Sequence, residues 1–275
     1  MGISTVIAGH AAKLMNPVLL AGLGLLSSAL LWLVLAPLVH QKISLATFRR
    51  NWKDFLELVL SRGVAGNALI FLGFQLTTAV KAVFLFNLEP AFVAIWSALL
   101  LGERISLRQA ILILLLLAGG FLLSTGGSIE TLTAQTGDLL IVAALVCFSY
   151  AYLPAARLLK KTDSISLTAS SNCLSGLLLL PLAFLFFGAQ PTLTLEQGGW
   201  IVAYAITFGV LMLYFYFTAL KSTKPWIVSS LLQLAPLPGA ALAYLLFGET
   251  LTLPQMLGGL VLLATSFEIS RERGR

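Results

Sequence analysis

Three polar residues interrupt an otherwise apolar stretch of the sequence between residues 80 and 101. Lys81, Asn87 and Glu89 lie within a segment long enough to cross a lipid bilayer, where an uncompensated carboxylate is costly. At about 1.5 Å and 100° per residue, Lys81 and Glu89 are about 12 Å apart along a helix and about 80° apart around it. They therefore share one face, and this pair predicts a polar site that binds a solute or exchanges a proton.

These residues also have structural interpretations. Lys81 can extend to the membrane surface, as long basic side chains near helix ends do. Glu89 can form an ion pair with Lys81 or with Arg62, although we interpret Arg62 as an interfacial anchor near the end of the preceding span. A mid-membrane cavity lined by Glu89 would favour a binding role, whereas tight packing of this face would favour a structural one.

The composition indicates a helical membrane protein. Of its 275 residues, 59% are hydrophobic and 10% are charged, and the mean hydropathy is +0.96, so the chain cannot present a water-compatible surface. Runs such as AILILLLLAGGFLL are apolar on every side, unlike the alternating pattern of a β-barrel. At about 20 apolar residues per span, the sequence predicts an all-α, multi-pass bundle. Its nine complete spans are predicted at 17–39, 58–78, 80–101, 107–125, 139–159, 165–187, 198–219, 225–247 and 253–270.

Basic residues mark one side of this predicted bundle. Of the 17 Lys and Arg residues, 14 fall in the loops and tail on the side of residues 40–54, whereas acidic residues such as Glu130 and Asp138 fall on the other side. This asymmetry predicts that residues 40–54 and the C-terminus are cytoplasmic, in a plasma membrane or bacterial inner membrane. The net charge of +6 thus reflects membrane topology, and no nucleic-acid partner is predicted.

The sequence contains an internal repeat. Residue 71 aligns with residue 217, and the alignment continues at this constant offset without a gap. Residues 71–124 and 217–270 are identical at 18 of 54 positions. Equivalent spans are five apart, an odd number, so the two copies are predicted to have opposite orientations. Inverted repeats of this kind are typical of secondary transporters, which open alternately to the two sides of the membrane.

Each copy carries a proline followed twelve residues later by a Gly-Glu pair. Pro90 and Pro236 each remove a backbone donor from a helix interior, which predicts a break or gate and leaves the Phe86 and Leu232 carbonyls without their usual partners. The Gly-Glu pairs close helices, and we interpret them as structural residues of the repeat: Gly102, Glu103, Gly248 and Glu249.

The stretches NLEPAFVAIWSALLLGERISLRQ and QLAPLPGAALAYLLFGETLTLPQMLGGLVLLA resemble the two signature helix pairs of one family. This is the EamA-like family of the drug/metabolite transporter superfamily, which the chain resembles along nearly its whole length. The resemblance implies a ten-helix bundle of two inverted five-helix repeats, at residues 1–125 and 138–270, with a cytoplasmic basic tail at 271–275. It also implies a central substrate cavity and export of amino acids or other small metabolites.

The N-terminus departs from this family pattern. Residues 1–14 are too short to cross a membrane and resemble only the second half of the first family helix. We expect either an upstream start that completes this helix or a first helix that is a stub.

Candidate substrate-binding residues are polar or aromatic and lie in or beside the predicted spans. They are Glu89, Lys81, Asn87, Tyr150, Tyr214, Trp226 and Gln233. The aromatic members have an alternative interpretation, because aromatic residues in membrane helices often serve as interface or packing residues.

Signatures of other protein classes are absent from the sequence. It has no His-Glu-x-x-His motif and no Gly-rich phosphate loop, so we predict no enzyme activity, no cofactor and no ATP-driven transport. Cys147 and Cys173 lie in predicted spans without metal-ligand spacing. We therefore predict a secondary transporter of a small solute in a lipid bilayer, with protons as the candidate coupling ion. The alternatives are a non-transporting membrane scaffold or accessory subunit and, less favoured, an intramembrane enzyme.

Overall fold

The structure is a computed structural model that describes residues 2–41, 43–44, 46–77, 79–102, 105–128, 135–188, 192–235, 237 and 252–271. All regular secondary structure in these residues is helical, as predicted. We number the helices in chain order: α1 Gly2–Leu14, α2 Pro17–Leu38, α3 Ala46–Arg50, α4 Trp52–Leu76, α5 Ala79–Phe86, α6 Glu89–Leu101, α7 Leu107–Thr125, α8 Thr136–Leu159, α9 Ser164–Phe187, α10 Leu195–Ser222, α11 Pro225–Leu232 and α12 Leu253–Arg271.

Seven of these helices are long and apolar enough to cross a membrane, namely α2, α4, α7, α8, α9, α10 and α12. They coincide with seven of the nine predicted spans, although α4 begins at Trp52, six residues before its predicted start. The other two predicted spans are those with the repeated prolines, Pro90 and Pro236. The span at 80–101 consists of two helices, α5 and α6, and the span at 225–247 is described as a helix only over α11.

Local sequence signals set several helix ends. Asn16 precedes α2, and its Oδ1 atom accepts the backbone N–H groups of Val18 and Leu19 at 3.0 and 3.1 Å. Gly102 ends α6 with a φ of 65°, a left-handed conformation that glycine adopts without strain. The other residues of the repeated Gly-Glu motif lie outside the described part of the chain: Glu103, Gly248 and Glu249.

Two membrane helices contain an eight-residue π-helical stretch, α4 at Val59–Gly66 and α10 at Ala205–Met212. A π turn holds one more residue than an α turn, and such turns are frequent at functional sites. In α4, the Asn67 side-chain amide fills the widened turn by donating to the carbonyls of Arg62 and Gly63, at 2.8 and 3.1 Å. The two stretches begin at equivalent positions of the sequence repeat, and they also end at equivalent positions.

Helix boundaries recur at the same offset elsewhere in the chain. The ends of α4 and α10 are equivalent positions of the repeat. Both ends of α5 are equivalent to those of α11, and both ends of α7 are equivalent to those of α12. The repeat in the sequence is therefore matched by a repeat in the lengths and spacing of the described helices.

Glycines allow close approach between the long helices of the bundle. Where α2 lies along α9, a Cβ atom on Gly176 would be 2.8 Å from the Gly22 carbonyl oxygen. Where α7 lies along α12, a Cβ atom on Gly119 would be 3.1 Å from the Gly258 carbonyl oxygen. Small residues at such contacts are the usual means of packing helices within a membrane.

A further glycine contact gives a prediction for stability. A Cβ atom on Gly63, in α4, would lie 1.7 Å from Ser175 Oγ on α9. We expect Gly63→Ala to lower the free energy of unfolding by about 1–3 kcal/mol, because the added methyl group overpacks this contact. Gly198→Ala is the matched control, since a Cβ atom there meets no described atom within 4 Å. Thermal unfolding of the purified variants in detergent measures both effects, and an unchanged melting temperature for Gly63→Ala would contradict the predicted overpacking.

Candidate functional site

Glu89 lies at the break between α5 and α6. After α5 ends at Phe86, the N–H groups of Asn87 and Leu88 donate to carbonyls three residues back, at 3.0 and 2.9 Å. Pro90 follows in the first turn of α6, where its missing donor breaks no helical hydrogen bond. Glu89 is thus the first residue of α6, where the helix dipole favours a negative charge.

The chain also forms a tight turn just before Pro236, the second proline of the repeat. The N–H groups of Gln233, Leu234 and Ala235 donate to carbonyls three residues back, and Ala235 N lies 3.0 Å from Leu232 O. The Leu232 carbonyl, whose usual partner would be the N–H of residue 236, therefore accepts from the Ala235 N–H instead. Pro236 itself lies outside the described residues.

Arg62 lies inside the bundle, on the π-helical stretch of α4. The residue is 8% exposed, and its guanidinium carbon lies 4.6, 5.5 and 5.9 Å from the ring centroids of Tyr216, Phe148 and Phe208. Ring faces attract a cation at such distances. The interpretation of Arg62 as an interfacial anchor is wrong, because the bundle encloses its side chain and aromatic rings surround its guanidinium group.

Glu89 and Arg62 line the same cavity, which we call the central cavity. It has room for a few water molecules in this conformation. Tyr152 of α8 and Tyr216 of α10 are part of its wall. Most of the remaining wall is apolar and aromatic, with side chains from α4, α5, α8 and α10: Phe71, Phe74, Phe86, Phe148, Tyr204 and Phe208.

The two charges of the central cavity are not joined in an ion pair. No described carboxylate lies within 4.0 Å of the Arg62 guanidinium. Glu89 is 3% exposed, and its Oε2 atom makes no hydrogen bond of good geometry to a described residue, nor do the hydroxyls of Tyr152 and Tyr216. Glu89 and the Tyr152 hydroxyl are close enough for a loose hydrogen bond, and the positive charge of Arg62 acts on Glu89 from a longer distance. Because hydrogen bonds of good geometry are missing at these buried groups, the arrangement favours a polar ligand.

Lys81 lies away from the central cavity, near the start of α5. Its Nζ atom is 3.7 Å from Oδ2 of Asp138 at the start of α8, and the Thr77 hydroxyl donates to the same carboxylate. Lys81 is 6% exposed, so protein encloses its side chain and it does not extend to a surface. Of the two partners considered for Glu89, Arg62 shares its cavity and Lys81 does not.

Asn87 and Gln233 occupy equivalent positions of the repeat, each in the turn that precedes a proline. Asn87 is buried, its Nδ2 atom donates to the Phe84 carbonyl at 3.1 Å, and its side chain packs against Gly120 of α7. Gln233 is buried, and its Nε2 atom donates to the Ser229 carbonyl at 3.4 Å. Neither is among the described lining residues of the central cavity, and a role in substrate binding stays a prediction for both.

The predicted aromatic site residues also lie outside the described wall of the central cavity. Tyr150 packs against Trp96, with ring centroids 5.4 Å apart, and Tyr214 packs against Trp32 at 5.5 Å. Trp226 lines a second cavity, between α6, α7 and the start of α11. Their part in substrate binding stays a prediction. The sequence interpretation did not include Tyr152 and Tyr216, each two residues after a tyrosine that it named.

The pair of Lys81 and Asp138 gives a prediction for stability. Both side chains are largely buried, at 7% and 17% exposure. We expect Lys81→Met to lower the free energy of unfolding by about 3 kcal/mol, because it leaves the carboxylate without this cation. The double variant Lys81→Met/Asp138→Asn should recover most of that loss. Thermal unfolding of the two single variants and the double variant measures the coupling, and additive losses would contradict a stabilising pair.

Comparison with known proteins identifies the family. The profile of the EamA-like transporter family matches residues 1–125 and 135–271. An uncharacterized transporter of Methanothermobacter thermautotrophicus is 28% identical over 229 residues, a match that covers 81% of this chain and 66% of the relative. The uncharacterized inner membrane transporter YicL of Salmonella typhimurium is 30% identical over 235 residues, covering 82% of this chain and 76% of the relative. A solved structure, titled only as a crystal structure of a protein, has a TM-score of 0.77 at 15% identity and covers 98% of this chain and 93% of its own, which shows a shared fold.

These similarities agree with the helical membrane architecture. The two profile matches cover nearly the whole chain, and the relatives described above are named as transporters rather than as enzymes. The chain belongs to the EamA-like transporter family.

Proposed function

We propose that this chain is a secondary transporter and that the central cavity is its substrate site. The observation that carries the proposal is the pair of Arg62 and Glu89, two buried opposite charges that face one cavity without forming an ion pair. Charged residues within membrane helices are costly and usually mark the pathway of a solute or ion. A non-transporting scaffold would be expected to pack this face or to join the two charges.

The lining of the central cavity favours a particular class of solute. Arg62 can donate to a carboxylate or another anionic group, and Glu89 can accept from an ammonium or hydroxyl group. Aromatic rings cover much of the remaining wall, so the body of the solute is expected to be apolar or planar. Amino acids and similar small amphipathic metabolites combine these features. We propose them as substrates, with export as the direction that the family resemblance implies.

The proposed mechanism is alternating access between two inverted halves. The recurrence of helix ends and π-helical stretches at one offset supports two equivalent halves. The odd number of spans between equivalent helices supports their opposite orientation, which is the arrangement of many secondary transporters. The proposed count of ten helices takes α1 as the first and counts α5 and α6 as one broken span.

We propose that the protein lies in the plasma membrane and that its C-terminus is cytoplasmic. A reporter fused after Arg275 is expected to be cytoplasmic, and one inserted near Gln135 is expected to be external, because basic residues are retained on the cytoplasmic side. The Salmonella relative is named as an inner membrane protein, which supports this location. An external C-terminus would contradict the orientation.

A solute-protection screen tests the substrate site. Purified protein is heated with amino acids and other metabolites, and a bound solute raises the melting temperature by mass action. Tyr216→Phe removes a hydroxyl from the central cavity and should weaken protection, whereas Ser222→Ala, which removes an exposed hydroxyl from the same helix, is the control. Protective solutes are then tested for flux in proteoliposomes. A solute that binds but does not cross the bilayer would favour a scaffold or accessory subunit.

A further inference from the structure

The two π-helical stretches share a hydroxyl group at the same position. Ser61 and Thr207 are equivalent by the repeat offset, and each donates to the carbonyl four residues back, to Glu57 at 2.5 Å and to Ala203 at 2.7 Å. Bonds of this kind from serine and threonine bend helices. Each helix is therefore disturbed at the same point of its π-helical stretch.

A glycine follows two residues later in each stretch and packs against a serine. A Cβ atom on Gly63 would lie 1.7 Å from Ser175 Oγ on α9, and one on Gly209 would lie 2.3 Å from Ser28 Cβ on α2. Ser28 and Ser175 are nearly equivalent in the repeat, because their separation along the chain exceeds the repeat offset by one position. The contacts are therefore reciprocal, because each π-helical stretch packs against a helix from the other half of the chain.

A buried asparagine amide donates to the carbonyl of each of these glycines. Asn67 Nδ2 lies 3.1 Å from Gly63 O, and Asn172 Nδ2 lies 3.2 Å from Gly209 O. Asn67 and Asn172 are 2% and 3% exposed. A π turn changes the pairing of backbone carbonyls from that of a regular α-helix. The two amides thus stabilise the wide turns relative to an α-helical alternative.

We propose that the two π-helical stretches are paired pivots, held in their wide form by Asn67 and Asn172 as positioning residues. This inference rests on the proposed transport function. Conversion of a π turn to an α turn removes one residue from the turn, which rotates the next segment by about 100° and shifts it by about 1.5 Å. Arg62 and Phe208 occupy equivalent positions in the two stretches and both line the central cavity, so the conversion changes the shape of the site.

Hydrogen exchange of the whole protein in lipid nanodiscs tests whether the pivots are coupled. Asn67→Ala removes one amide, and we expect backbone exchange to change by about fivefold both in 59–66 and in 205–212. Ser171→Ala is the matched control, because its hydroxyl donates to the Leu167 carbonyl of regular α9, at 2.7 Å. A change confined to 59–66 would show that Asn67 acts only locally and would overturn the proposal.

The reciprocal variant makes the test symmetric. Asn172→Ala should alter exchange in 59–66 as well as in 205–212. Failure of both asparagine variants to fold would assign the amides a purely structural role and would also overturn the proposal. Flux of the unsubstituted protein, measured alongside the variants, separates the two ideas: coupled exchange in a protein that moves no solute overturns the transport function, whereas flux with independent exchange overturns the paired pivots.

Discussion

Glu89→Gln is expected to reduce solute flux by about 10- to 100-fold while leaving the folded yield nearly intact. Glutamine keeps the shape of the side chain and removes its charge, and hydrogen bonds to charged groups contribute about 1.5–3 kcal/mol. Because every 1.4 kcal/mol is about tenfold, this loss corresponds to the expected range. Flux into proteoliposomes with equal amounts of protein measures the effect. Glu196→Gln, at an exposed glutamate in the first turn of α10, is the matched control.

The same variant distinguishes binding from proton coupling. We propose that Glu89 takes up and releases a proton as access alternates, so Glu89→Gln should retain some solute exchange but lose accumulation driven by a pH gradient. Equal loss of exchange and accumulation would assign Glu89 to solute binding alone. Unchanged flux in both assays would contradict the assignment of the site.

Arg62→Gln is expected to reduce flux by at least about 100-fold, the larger of the two effects. The substitution removes the charged donors for the anionic group of the solute and the cation that lies against three ring faces. Arg62→Lys should retain part of the activity, because an ammonium keeps the charge but not the planar fork of donors. Flux and thermal protection are measured together. A solute analogue whose anionic group is replaced by an amide should be transported at similar rates by the natural protein and by Arg62→Gln.

The double variant Arg62→Gln/Glu89→Gln separates a binding site from a structural pair of charges. Removing both members of a buried pair is often harmless to stability where removing one is not. We therefore expect the double variant to fold at least as well as either single variant and to transport no solute. Full flux in the double variant would show that the two charges serve only to stabilise the fold.

The spans could be predicted from the sequence because bilayer thickness demands long apolar runs. Seven predicted spans correspond to continuous helices, and Pro90 marks the place where an eighth breaks. The π-helical stretch of α10 could not be predicted, because the Asn172 amide that meets its Gly209 carbonyl comes from another helix. The bonds of Asn67 are local, but an asparagine in an apolar run does not by itself indicate a π turn.

The candidate site was harder to predict because membrane helices are apolar on every side. Tyr150 and Tyr214 were named from the sequence, whereas Tyr152 and Tyr216 line the central cavity. A shift of two residues rotates a side chain by about 200°, nearly to the opposite face of the helix. Without a polar stripe, the sequence does not indicate which face points inward. The same difficulty hid the partner of Lys81, since Asp138 lies in another helix.

The position of Arg62 depended on one helix boundary. The apolar run predicts a start near residue 58, but α4 continues back through charged residues to Trp52. Asp54 and Glu57 can occupy this first part of the helix because both form ion pairs with Arg157 of α8, at 2.7 and 2.6 Å. Arg62 therefore lies well past the first turns of α4, where side chains of α8 and α10 surround it.

In the proposed transport cycle, the balance of charge in the central cavity would determine how the protein responds to the membrane potential. Arg62 and Glu89 contribute one positive and one negative charge, so a solute with one charge of each sign leaves the occupied cavity electrically neutral. Movement of one elementary charge through a potential of 100 mV is worth about 2.3 kcal/mol, but a neutral load gains nothing from this field. The membrane potential would then act on the cycle only through an accompanying proton. The electrical charge carried per transported solute would therefore equal the number of protons moved with it.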